Sequence, residues 1–413
     1  MSEQVSNAQQ LVHELVDLST LNRSNELLER LEILLADFII CVVSGNRLQS
    51  RDSLLKNDGA IGLATRLASQ SAFEDKDDLD WSAVNHPGSV VFAASFAIAL
   101  EHPKFREHFL TSALAGMRAS ASAAHFFGPG HRKRWHITAT AGTFGAVCAA
   151  SAALNLDIVS AQRALHLAGT NMGGLGQVSR ELQGTPRFNR AAAAALGVAS
   201  AFGAYEGIPA IENLWDGDRG LLEVFDLAAT ITDGALIKDG ITTVRVRTFP
   251  ATGFIQSALL GVSQLAQRNS VSGELKSLTV TVNSGVFPIL NDPKKERWWN
   301  LGLNCAAAWA SKDPMVLTPA PQIEGLVHAV GGDVPLGSAH IRAETSEGVF
   351  ELTIDEAPGL HLFAAHEVAW REAKWRSMVG DDYVEIVNCV QALISQQAND
   401  STWVRINQFL REG

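Results

Sequence analysis

Cysteine is sparse in this 413-residue chain, and Cys41, Cys148, Cys305 and Cys389 stand far apart in apolar, helix-like surroundings. No C-x-x-C pair occurs, which argues against a zinc ribbon or a disulfide framework and predicts buried free thiols. Charge is low as well, at 19% of residues, and leans one way to a net −11. The one basic run is Arg132-Lys133-Arg134. A nucleic-acid partner needs a basic face, so that class is excluded. An anionic small molecule stays possible, because a few buried cations set a local potential regardless of net charge. Long apolar runs are missing too. Met1 to Gln10 is polar and has no signal-peptide core. The least polar stretch, Thr138 to Leu156, is broken by threonine and glycine and reads as a buried core helix, not a membrane span. The expectation is a cytoplasmic protein with no membrane partner.

What is abundant is hydrophobic residues, 46% of the chain, in a length too great for one ordinary core. Two domains follow. Leu27, Leu28, Leu31, Leu34, Leu35, Phe38 and Ile39 recur at helical spacing, with Gly45-Asn46 as the expected stop. Val90 to Leu100 and Thr143 to Leu154 are apolar all round, as helices buried on every side are. Ala191 to Tyr205, beginning with five alanines, predicts another helix whose axis approaches its neighbours closely. The period then changes. Val244 and Val246 alternate with polar residues across Ile241 to Phe249, predicting a strand, and the alternation returns at 278–282, 339–345 and 349–354. Helical character resumes from Ala364. The fold class is therefore mainly α: a helical domain from both chain ends (1–242 and 372–413) with a smaller α+β domain inserted at 243–371.

Four segments carry candidate chemistry. Asp77-Asp78-Leu79-Asp80-Trp81-Ser82 precedes His86-Pro87-Gly88 and an apolar helix. Pro87 suits the first helical position, placing His86 where unpaired N–H groups emerge and anions bind. In the second segment, His136 and Thr138 open another small-residue helix in the same manner. Third, Arg187 and Arg190 sit at the start of the alanine helix, against the macrodipole unless an anion is held there. Fourth, Arg245 and Arg247 share one face ahead of Phe249-Pro250 and Thr252. Each has a plainer alternative: an ordinary helix cap, a solvated charge run, or a polar strand face, the last preferred for Arg245. Gly173-Gly174-Leu175-Gly176 follows no strand and is no dinucleotide loop, and His361, His366 and Glu367 lack a compact zinc spacing.

In their order these landmarks resemble the 2-methylcitrate dehydratase and cis-aconitate decarboxylase family, often called MmgE/PrpD. The acidic loop, H-P-G, His136-x-T-A-T-A-Gly142, Ala168-Gly169-Thr170 with Gly173-Gly174, Phe249-Pro250 and Glu372-Ala373-Lys374 carry the resemblance, which runs from Ala36-Asp37 to Lys374. It implies a helical domain with a lid from the middle of the chain, a homodimer, and a site needing neither metal nor organic cofactor. It implies dehydration, decarboxylation or epimerisation of small di- and tricarboxylates. By position, the catalytic groups fall on Asp78, Asp80, His86 and His136, with an aspartate orienting an imidazole. Ser82, Arg187, Arg190, Arg247 and Thr252 fall on the substrate. The resemblance is that of a divergent member: where the family has K-x-x-H-x-G, the lysine, histidine and glycine places read Pro186, Asn189 and Ala191, and an expected tyrosine reads Leu303. Three readings follow: a cofactor-independent lyase or isomerase acting on a carboxylate-bearing metabolite, a biosynthetic enzyme with altered acid–base chemistry on a less charged substrate, or a non-catalytic binding or scaffold protein.

Overall fold

The structure, a computed structural model, describes residues 2–48, 59–181, 184–227, 237, 239–268 and 270–412. The chain is mainly helical and divides into two compact units. The first comprises Met1–Phe73, Asp77–Val244 and Met378–Gly413; the second comprises Glu74–Lys76 and Arg245–Ser377.

The first unit is organised around the helix Ile137–Ala153, every residue of which is buried. A helix made of Ala, Gly, Thr and a few larger apolar residues tolerates this, because it has almost nothing that needs water. The helices Pro87–Glu101, Phe109–His131, Ile158–Gly169 and Thr185–Tyr205 surround it. Aromatic rings fill the space at one end: Phe127 meets Phe144 edge-on at 5.8 Å, and Phe126 meets Trp215 at 5.6 Å. Among the described residues no helix is long and apolar enough to cross a membrane.

Gly45-Asn46 does not stop its helix, which runs from Asn25 to Leu48. Gly45 serves as a crossing point. A Cβ there would stand 2.3 Å from the carbonyl oxygen of Gln70, in the neighbouring helix Gly59–Ser71. The signal read as punctuation is a packing requirement.

The second unit carries a four-stranded sheet in the order Val327–Gly332, Leu275–Asn283, Ala339–Thr345, Gly348–Ile354. The first pair is parallel and the others antiparallel, with Val280 opposite Ala329 on one side and Ile341 on the other. The helices Gln256–Gln267 and Leu301–Ser311 pack with it. The strand expected across Ile241–Phe249 shrinks to Val244–Arg245. The segment after it is held by a side chain in place of a ladder: Gln256 accepts from the N–H groups of Thr248 and Phe249 and donates to the carbonyls of Phe249 and Ala251. Arg245 is not on a solvated face. It is buried, and its guanidinium donates to Glu356 and to the carbonyl of Ala357.

Candidate active site

Both histidine-led helix starts form as the sequence predicts. His86 is the N-cap of Pro87–Glu101, with Pro87 in the first helical position, and His136 is the N-cap of Ile137–Ala153. The two starts are joined, since the His86 N–H donates to the Thr138 hydroxyl at 3.2 Å. Neither imidazole caps its own helix. Both rings are turned to other work.

Asp78 holds His86 in an unexpected way. Its main-chain carbonyl, not its carboxylate, lies 2.7 Å from His86 Nδ1. The carboxylate accepts the Gly88 N–H at 2.8 Å and so satisfies one of the unpaired donors at the helix start. Gly88 makes this possible, because a Cβ on it would lie 2.9 to 3.0 Å from the Asp78 carboxylate atoms. Burial and the neighbouring Asp77 charge push the Asp78 carboxyl up to about 7, against the Gly88 hydrogen bond and Arg190, which pull it down.

Asp77 and Arg190 form a buried ion pair, and the same Asp77 carboxylate lies 3.7 Å from His86 Nδ1. Arg190 comes from the helix Thr185–Tyr205, more than a hundred residues away in sequence. That helix also brings Asn189, whose amide nitrogen is 3.3 Å from His136 Nδ1. His136 is held down to about 3, first by burial and then by the charges of Arg190 and His86, so it is neutral at ordinary pH. Its main-chain N–H donates to the Gly174 carbonyl at 2.8 Å. Gly174 has a left-handed φ of 117°, and a Cβ there would stand 2.7 Å from that of Ala139. Gly174 is thus a tight seat for His136.

The remaining sequence candidates are distributed differently. Asp80 is buried, and its carboxylate accepts from the N–H and hydroxyl of Ser82. With the paired main chains of Asp80 and Asn85 this closes a tight turn, and Ser82 itself is exposed. Arg187 lays its guanidinium over the Phe73 ring at 4.8 Å. Arg247 and Thr252 belong to the second unit and are both buried. There Arg247 pairs with the Asp75 carboxylate and main-chain carbonyl, and the Thr252 N–H donates to Trp298 at 3.0 Å. Leu303, where a tyrosine was expected, lies in the first turn of Leu301–Ser311.

Two residues absent from the sequence-based selection are central to the cluster. Asp77 was visible only as the neighbour of Asp78, and Asn189 only as an unexpected residue where a histidine was anticipated. Nothing local marks the pairing of Asp77 with Arg190 or of Asn189 with His136, because the partners are 113 and 53 residues apart. Among the described residues no group of three His, Cys, Asp or Glu is arranged to hold a metal ion.

Residues 64–232 match the family model described as the MmgE/PrpD N-terminal domain. That span contains His86, His136, Asp77, Asp78, Asn189 and Arg190. No curated protein matches the chain.

Proposed function

We propose that this chain, which belongs to the MmgE/PrpD family, is a lyase or isomerase performing acid–base chemistry on a small carboxylate-bearing metabolite without a cofactor. The observation that carries the reading is the joined pair of helix starts. Two imidazoles, a buried ion pair and a carboxyl with a raised pKa stand at adjoining helix N-termini, where anions are favoured.

The chemistry follows from those groups. Removing a proton beside a carboxylate builds charge on a group that is already anionic, so a positioned base and fixed donors are both required. His86 is the proton-exchanging group. Its Nδ1 faces a carbonyl, which can only accept, so in the neutral ring Nε2 carries the lone pair. When Nε2 takes the proton, the Asp77 carboxylate near Nδ1 stabilises the imidazolium. Dehydration, decarboxylation and epimerisation all use such a group. Arg187, Arg190, Arg247, Ser82 and Thr252 are the proposed substrate-binding residues, the second unit is the proposed lid, and the protein is proposed to be a cytoplasmic homodimer.

One observation favours a second reading. Arg190 is engaged by Asp77 and Arg247 by Asp75, which lowers the positive charge available to a polyanion. An altered acid–base reaction on a less charged substrate fits that. A thermal-shift comparison separates the two. Stabilisation by di- and tricarboxylates such as 2-methylcitrate and cis-aconitate, lost in Arg187→Ala, supports the first; about 2.7 kcal/mol is expected at a hundredfold excess over Kd. Stabilisation by hydroxy- or monocarboxylates alone supports the second. No stabilisation by any of them favours a non-catalytic scaffold.

A further inference from the structure

We infer that Asn189 is a positioning residue that holds His136 in the tautomer with its proton on Nε2, so that His136 presents an N–H where His86 presents a lone pair. This rests on the acid–base reading above.

The two rings are held by partners of opposite kind. Nδ1 of His86 faces the carbonyl of Asp78 at 2.7 Å and must carry a hydrogen. Nδ1 of His136 faces the amide nitrogen of Asn189 at 3.3 Å, a donor, and must therefore accept. Gly174 keeps the pair in place from a third side, since a Cβ there would lie 3.3 Å from the Asn189 amide nitrogen and 3.5 Å from the His136 Cβ. Burial, Arg190 and His86 keep the ring uncharged, which leaves a single ring proton to be placed.

A neutral imidazole N–H is a suitable donor to an oxygen on which charge develops. In the step proposed, the carbon–hydrogen bond next to a substrate carboxylate breaks and its proton passes to Nε2 of His86. The electron pair delocalises onto the carboxylate oxygens, and Nε2–H of His136 donates a hydrogen bond to one of them without giving up its proton. The two histidines thus have different jobs: one exchanges a proton, the other stabilises charge.

Histidine side-chain NMR on the full chain, labelled with 15N-histidine, reads this directly. The expected pattern is His136 protonated at Nε2 only and His86 protonated at Nδ1, assigned by loss of signals in His136→Gln and His86→Asn. Asn189→Asp replaces the donor with an acceptor and should move the His136 proton to Nδ1. His131, whose Nε2 lies 2.9 Å from the Thr140 hydroxyl, should be unchanged and reports an intact fold. With a turned-over substrate, Asn189→Asp should lower kcat by about 10²–10³ with little change in KM. A wild-type His136 protonated at Nδ1 overturns the inference, even if no variant folds. So does an Asn189→Asp variant that keeps the wild-type pattern. Failure of the acid–base reading is distinct: the tautomers would stand while His86→Asn left turnover unchanged.

Discussion

Asp78 combines two roles: its carbonyl orients His86 while its carboxyl caps the helix beginning at Pro87. Its raised pKa has a consequence for stability. Between its ordinary value of 3.8 and about 7, the folded chain retains a proton that the unfolded chain releases. This contribution is therefore full below about pH 4 and is lost as pH rises through about 7. Urea unfolding across that range should show wild type losing stability with rising pH relative to Asp78→Asn, whose amide oxygen still accepts from Gly88. A difference that does not change with pH would contradict the assignment. Arg190 makes a second test. Arg190→Met removes one partner of a buried ion pair, a loss of about 3–5 kcal/mol by the same measurement. At this scale the histidines were legible in the sequence, because Pro87 and the small-residue helices mark where each ring sits. Asp77, Asn189 and the main-chain role of Asp78 were not, because they depend on pairings that only the folded chain creates.

Helices were more legible than strands. An all-apolar stretch such as Thr143 to Leu154 has few stable alternatives to a buried helix. The strand Val327–Gly332 escaped notice because its alternation is short and ends in two glycines, and it is defined mainly by parallel pairing with Leu275–Asn283. The strand expected across Ile241–Phe249 failed in the opposite direction: Gln256 supplies the partners that a ladder would have supplied. Gly45 shows the same lesson in a helix. Gly45→Val should cost roughly 1–3 kcal/mol by forcing Asn25–Leu48 away from the Gln70 carbonyl. If Gly45 were only a helix terminator, the substitution would be nearly silent in a thermal melt.

Across the whole molecule, composition and landmark order point one way, and the match over residues 64–232 agrees with them. The proposed homodimer predicts sedimentation at about twice the chain mass of 44.3 kDa. Sedimentation at the single-chain mass across micromolar concentrations would remove it. The central claim is that His86 exchanges a proton with carbon next to a carboxylate. Its most direct test is proton NMR in D2O of small di- and tricarboxylates, cis-aconitate and 2-methylcitrate among them, incubated with wild type and with His86→Asn. The account predicts that deuterium enters beside a carboxylate with the wild type and not with the variant. Exchange at the same rate with both proteins would contradict it.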